Sequence, residues 1–320
     1  MHNKNLLEKN MKNQDIRESG WRYTGGVLRD VLKDLAPYLE QTDCQHFKNL
    51  LYIAEQDLSI AHCLQKNHVM HAAGLGYDYS STVGCYSAYN FKDTISLNGQ
   101  ILIGNKEWLT NLFDSDVVIL QALNTAGERL HVVIELGKTS HIISHDHPKS
   151  IGMVGAAPGK LIFSNPVTLN QTQILNKAGT QESFNISNYS SYAFITNHLG
   201  LIIGLYNDLI TYEILTDPSL RNQRRTLELE ISTLKILWED NLPSISITNS
   251  SDEFWHRRNT QYAQSKKILL ELIHFVLEIG IHNFVDPSSL HSTRFNDALT
   301  FVTHMLPLYK CNKDLHYTKF

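Results

Sequence analysis

Residues 102–120 read LIGNKEWLTNLFDSDVVIL, and this stretch decides the fold. Gly104 supplies a turn, Lys106 reads as a surface cation, and Trp108, Leu109 and Thr110 place an indole and a hydroxyl at the end of a strand. Similar short β-branched runs flank it. TISLNGQILIG (94–104) leads into it, DVVILQALNTAGERLHVVIEL (116–136) continues from it, and KLIFSNPVTL (160–169) follows. Asn-Gly, Ala-Gly and Pro-Gly pairs mark the turns between the runs. Val117 to Leu136 reads as a hairpin closed around Asn124 to Glu128. Strands without intervening helices, from about Thr82 to Leu169, predict a small antiparallel sheet or barrel.

Outward from this centre the periodicity turns helical. VLRDVLKDLAPYLE puts Val27, Leu28, Val31, Leu32 and Leu35 on one face, and Pro37 is expected to break or kink the run. Thr42 or Asp43 can cap a second helix, in which Phe47, Leu50, Leu51, Ala54, Leu58, Ala61 and Leu64 recur at helical spacing. From about Ser187 the chain stays helical. Tyr192–Leu215 is apolar nearly all round, the pattern of a buried helix, and Asp217-Pro218 ends it. A second helix is expected over Leu220–Asp240 and a third over Thr260–Ile279, with Gly280 as a left-handed C-cap. A fourth is expected over Ser292–Leu306; the segment NLPSISITNSSDEF (241–254) reads as a polar connection. Four helices joined by short loops read as an up-down bundle. The expected chain is thus α+β in three parts. A short N-terminal helical region covers residues 1–81, a β-barrel middle domain 82–186, and a C-terminal four-helix bundle 187–320.

Composition narrows the function. Of 320 residues 42% are hydrophobic and 19% charged, the balance of a globular chain. A net charge of −4 provides no global field to recruit nucleic acid. No apolar run approaches the roughly eighteen residues needed to span a bilayer, and the polar start lacks the apolar core of an export signal. Cys44, Cys63, Cys85 and Cys311 lack paired spacing, which argues against disulfides and a zinc site. N-x-S/T triplets at Asn170, Asn185, Asn188 and Asn249 are then chance, and the expected location is cytoplasmic.

Most chemical motifs are missing. No G-x-G-x-x-G follows a strand: Gly74 and Gly76 have Tyr79 at the third position and follow a helix. No phosphate-binding G-x-x-x-x-G-K-[ST] and no G-x-S-x-G nucleophile turn is present. His141, His145, Asp146 and His147, with His131, have metal-compatible spacing, although Pro148 and Lys149 make an exposed turn the simpler meaning. Arg221, Arg224 and Arg225 open a helix where its dipole disfavours cations, which suggests an anionic group or merely a solvated face. Trp108 and Thr110 remain. An indole beside a main-chain amide and a hydroxyl suits a flat, hydrogen-bonding heterocycle such as a flavin, while a buried core Trp is the plainer alternative.

The stretch Ile103–Thr110 with Ser115-Asp116-Val117 resembles the L-x-G-x-K-x-W-[IL]-T-x-x-x-x-A-D-V pattern of the acyl-CoA dehydrogenase flavoproteins. Asp57-Leu58-Ser59-Ile60-Ala61, followed by His68, is similar to that family's D-L-S-x-A segment. IGMVGAAPGKLIFSNPVTL (151–169) and RFNDALTF (294–301) resemble its barrel exit and its F-R-D-A helix start. The resemblance covers residues 40 to 310 or so and implies the order helices, barrel, bundle. It further implies FAD beside Trp108 and Thr110, with Tyr86, Ser87 and Arg224 as further cofactor contacts. An acyl-CoA or other acyl thioester is the implied substrate, and a homo-dimer or tetramer the implied assembly.

The chain also departs from the family. Its T-E-P-x-x-G-S-D loop and R-x-x-F-G have no counterpart, and the paired glycine of its bundle loop is reduced to Gly280. No carboxylate follows the last helix until Asp314, and the alternative base position falls near Ser190. His304 is the expected base in place of the glutamate. Three readings follow: a divergent dehydrogenase, a flavin-dependent monooxygenase of the same fold, or a non-catalytic paralogue acting as a partner subunit.

Overall fold

The computed structural model describes residues 27–39, 43–78, 81–88, 93–139, 142–144, 156, 158–177, 181–211, 215, 217–242, 252–280 and 293–302. They form two compact units. The first comprises residues 1–46, 62–149 and 154–191, the second residues 47–61, 150–153 and 192–320.

Helices α1 (Val27–Leu39), α2 (Asp43–Gln56) and α3 (Leu58–Ala72) come first. Pro37 does not end α1, which runs two residues beyond it. Asp57 divides what the periodicity suggests is one helix: its carboxylate accepts from Ile60 N (3.1 Å) and caps α3.

The first unit is built on eight strands: β1 (Gly84–Ser87), β2 (Ser96–Asn98), β3 (Ile101–Leu109), β4 (Val117–Asn124), β5 (Arg129–Glu135), β6 (Ile142–Ser144), β7 (Gly159–Thr168) and β8 (Ile174–Lys177). Their order is β6-β7-β3-β2-β4-β5-β8, with β1 also paired to β4. The expected barrel is not closed: among the described residues no pairing joins the short edge strands β6 and β8. Nor is the sheet wholly antiparallel, because β1 and β2 both lie parallel to β4. The β4–β5 hairpin forms as read, with Asn124 N donating to Glu128 O at 2.9 Å. Val118, Leu120 and Ala122 of β4 alternate into a core shared with Val132, Ile134, Leu161 and Phe163. Burying such side chains stabilises by roughly 1.5–3 kcal/mol each.

In the second unit α4 (Gln181–Thr211) is joined by α5 (Arg221–Asn241), α6 (Asp252–Phe275) and α7 (293–302), with residues 181–191 of α4 belonging to the first unit. α4 starts before its apolar stretch, because Gln181–Ser190 are helical without an apolar period. α6 absorbs DEFWHRR, part of which reads as loop, and continues into a π-turn at Val276–Gly280. Gly200 and Gly204 let α4 approach α2 closely. A Cβ at Gly200 would stand 2.5 Å from that of Ala54, and one at Gly204 would stand 2.6 Å from Glu55 O. Trp238 Nε1 of α5 donates to Thr196 Oγ1 at 2.8 Å, and the Tyr192 hydroxyl donates to Trp238 O. Phe194, His198, Tyr262 and Phe301 tie α4, α6 and α7 together, and Arg294 of α7 pairs with Asp208 of α4. Among the described residues no helix is long and apolar enough to cross a membrane.

Gly104 is the tightest point of the sheet. It has φ +109°, and a Cβ there would meet Thr94 O at 2.3 Å. Gly104→Ala is therefore expected to lose at least about 3 kcal/mol, combining backbone strain with a clash against main chain. Gly127→Ala (φ +78°, nothing within 4 Å) carries strain alone, about 1–2 kcal/mol. Urea unfolding of the pair checks the ranking; equal losses would remove the clash from the account.

Candidate functional site

The first unit pairs Lys106 with Asp93 and sets Lys66 over the Tyr86 ring. Lys106 is the first surprise. It reads as a surface cation, yet it is fully buried. Its Nζ donates to Asp93 Oδ2 at 2.5 Å and to Ala88 O at 2.7 Å. Asp93 Oδ1 accepts from Glu107 N at 3.0 Å, and Thr94 N donates to Asn105 O at 3.0 Å. Burial pulls the ammonium below its ordinary range, and Asp93 opposes that pull.

Beyond this anchor β3 bulges. Lys106 pairs with Leu161 and Leu109 with Gly159, so β3 advances three residues while β7 advances two. The extra residue lets Trp108 adopt φ 55°, a left-handed conformation that costs a bulky side chain roughly 1–3 kcal/mol. A bulge of this kind re-aims a side chain, and Trp108 is half-buried. Thr110 follows, also half-buried. Asn111 has φ 61° and is fully buried; its backbone N donates to Ala156 O at 2.8 Å. Among the described residues neither polar atom of the Asn111 amide has a partner, which costs roughly 1–3 kcal/mol. Strain and an unpaired amide at one strand end mark a place shaped for more than packing.

The remaining expected residues divide. Tyr86 and Ser87 lie on β1, both buried; the Tyr86 ring centroid is 5.9 Å from that of His131, and burial pushes its phenol up. Ser87 Oγ makes only a long bond, 3.5 Å, to Ala88 O. His131 is bonded to Gln121 at 3.0 Å, and burial draws it down to about 4, so it is neutral at physiological pH. Arg224 belongs to the second unit and pairs with Glu228 at 2.9 Å, a carboxylate that also accepts from Tyr206 Oη at 2.7 Å. His304, His141, His145, Asp146 and His147 lie outside the described residues. Among the described residues no group of three His, Cys, Asp or Glu side chains is placed to hold a metal ion.

Sequence reasoning missed two groupings. Lys66 Nζ lies 5.2 Å from the centre of the Tyr86 ring, and burial lowers it to about 8. His46 and Tyr189, 143 residues apart, share a hydrogen bond of 2.7 Å, with the His68 ring 4.0 Å from that of His46. Gln65 Nε2 donates to Ser190 O at 2.9 Å beside them. No local pattern signals either grouping, because each depends on how α3 crosses other elements.

A planar, hydrogen-bonding group fits this strand end. It has a half-buried tryptophan, a half-buried threonine and an amide unpaired among the described residues on one left-handed turn. Arg224, expected from the resemblance to contact the cofactor, is paired with Glu228.

No protein-family profile and no curated protein matches the chain by sequence. Its fold does match solved structures. TdsC from Paenibacillus sp. A11-2, solved with FMN and indole, aligns at a TM-score of 0.77 with 13% identity, covering 96% of this chain and 94% of that one. TdsC is described as a dibenzothiophene monooxygenase. Butyryl-CoA dehydrogenase from Megasphaera elsdenii aligns at 0.71 with 11% identity, covering 94% of each chain. A glutaryl-CoA dehydrogenase from Mycobacterium smegmatis, in complex with FADH2, aligns at 0.69 with 12% identity over 95% of this chain and 91% of that one.

The buried pair yields a sharp expectation. Asp93→Asn or Lys106→Met alone leaves a buried charge unanswered and should cost about 3–5 kcal/mol. The double variant Lys106→Met with Asp93→Leu should lose clearly less than the sum. Additive losses in denaturant titrations would mean that the two groups are not coupled.

Proposed function

On the acyl-CoA dehydrogenase fold that this chain has, we propose a flavin-dependent oxidoreductase that oxidises an acyl thioester between its α- and β-carbons. The observation that carries this reading is Trp108, half-buried on a left-handed bulge beside Thr110. FAD is the proposed cofactor, and when bound it supplies the two-electron acceptor for the substrate hydride. Trp108 and Thr110 would hold its ring system, the indole by packing and the hydroxyl by hydrogen bonding, with Tyr86 and Ser87 of β1 as further contacts. Arg224 is proposed for the anionic end of the cofactor, in exchange for Glu228. His304 is the proposed base for the α-proton, and the carboxylate usual at that point is missing from the sequence.

The three-part division 1–81, 82–186 and 187–320 belongs to the same proposal, with α4 to α7 as the bundle. So do a cytoplasmic location and a homo-dimer or tetramer. The apolar helix α4 no longer argues for assembly, because Leu199, Leu201, Ile202, Leu205 and Leu209 are buried within the chain itself. Leu229 and Ile236 on α5, with Leu270 and Leu277 on α6 and the π-turn after it, are exposed and provide the apolar stripe that an assembly would cover. Light scattering that returns a monomer would count against it.

Purified protein is expected to bind FAD more tightly than FMN and to develop a perturbed flavin spectrum. Trp108→Ala should weaken flavin binding at least about tenfold, the worth of roughly 1.4 kcal/mol of stacking. Anaerobic addition of acyl-CoA thioesters should bleach the oxidised band, and His304→Ala should slow that bleaching at least about tenfold. Reactivity only with externally reduced flavin and oxygen would replace this reading by the monooxygenase one. No flavin binding would leave the non-catalytic paralogue.

A further inference from the structure

A buried titratable group of the second unit takes no part in the candidate site. His198, midway along α4, is fully buried. Its ring centroid lies 4.5 Å from that of Phe194, one turn earlier on the same helix. It also lies 5.3 Å from that of Tyr262 on α6 and, edge to face, 4.3 Å from that of Phe301 on α7. Among the described residues neither ring nitrogen of His198 has a hydrogen-bond partner. A neutral imidazole has one N–H to donate and one lone pair to accept with, and this cage of rings leaves both unused. Gln261, the residue before Tyr262 on α6, is buried too, with neither amide atom bonded among the described residues.

The surrounding helices carry several titratable groups, and none of them hydrogen-bonds His198. On α6 these are Arg258, Tyr262 and Lys266, on α7 Arg294 and Asp297, on α4 Asp208 and on α2 Glu55. Asp208 pairs with Arg294, and Glu55 accepts from Asn207 Nδ2 at 3.3 Å. Asp297 is buried one turn before Phe301, while α5 turns Leu227, Leu234 and Trp238 inward. Burial raises the Tyr262 phenol, which therefore stays neutral. An imidazolium has two N–H groups to satisfy and a charge to solvate, and three aromatic rings do the second more weakly than water and the first hardly at all. We infer that His198 is an acid-sensitive latch of the helical unit: neutral, it packs α4 against α6 and α7, and on taking a proton from solvent it leaves the rings for water and that contact loosens. Opening also hydrates the Gln261 amide, so two buried polar groups favour it. The inference stands apart from the flavin reading and does not need it.

The direction of the pH dependence follows from burial, which draws the imidazole down to about 3 from its ordinary 6.5. The folded chain holds the ring neutral where the unfolded chain would protonate it. The contribution to stability is therefore complete above about 6.5 and shrinks as pH falls toward 3. Wild type, His198→Phe and His198→Leu are compared by urea unfolding at about pH 7.5 and about pH 5. Between the two conditions wild type should lose on the order of thirtyfold more in its folding equilibrium than either variant. Amide hydrogen exchange at the lower pH, corrected for intrinsic rates, should show the extra opening of wild type in α4, α6 and α7 and not in β4 and β5. In wild type labelled with 13C-histidine, the His198 resonance, assigned by its contacts to the three rings, should not titrate near 6.5. That titration decides the matter even if neither variant folds. A His198 that titrates near 6.5 in the folded protein would overturn the latch. So would variants that share the wild-type pH dependence, or extra opening spread equally over both units.

Discussion

An ammonium sealed from water requires a carboxylate, and the Lys106–Asp93 pair is the constraint on which the candidate site depends. Through that pair the segment ahead of β2 is stitched to β3: Ala88 O and Asp93 hold Lys106, Asp93 holds Glu107 N, and Thr94 pairs with Asn105. The same stitching brings Thr94 O against Gly104, where no side chain fits. β3 is thus held at residues 104–107, between two departures from regular pairing with β7, one at Leu102–Gly104 and one at Lys106–Leu109. A bulge on a strand free to shift would relax. On a strand clamped by a buried ion pair it holds Trp108 in a backbone conformation that a tryptophan seldom adopts.

Stability and binding capacity are connected at this point. The sheet buries five of the eight residues of β4 and five of the seven of β5, so packing energy is available there and the strain at the end of β3 is tolerated. Near that end lie a tryptophan in a left-handed conformation and a buried amide without a hydrogen-bond partner among the described residues. Each is unfavourable for a protein that only needs to fold. Together they are why we propose that a flat, hydrogen-bonding ligand binds there.

The sequence made some of this legible and concealed the rest, for physical reasons. The β4–β5 hairpin was readable because alternation and the turn at Asn124–Glu128 are local. The sheet's mixed pairing was not, since β1 and β2 reach β4 through contacts that no local period records. Pro37 and Asp57 show the limit of helix rules. The proline is accommodated inside α1, while an aspartate that merely looks like a polar position ends one helix and caps the next. Trp108 and Thr110 were visible as an aromatic and a hydroxyl in a recognisable pattern. Lys106 was misread, because a lysine in a strand gives no sign that a carboxylate thirteen residues earlier will meet it in the core. Lys66, His46 and Tyr189 could not have been grouped without the fold.

The central claim is that flavin binds on the strand end carrying Trp108. Selective 15N labelling of the tryptophan indoles, followed by FAD titration, tests it directly. The Trp108 Nε1–H resonance is predicted to shift with saturation. That of Trp238, buried in the second unit and bonded to Thr196, should stay in place. A Trp108 signal that does not move while FAD is bound would contradict the account.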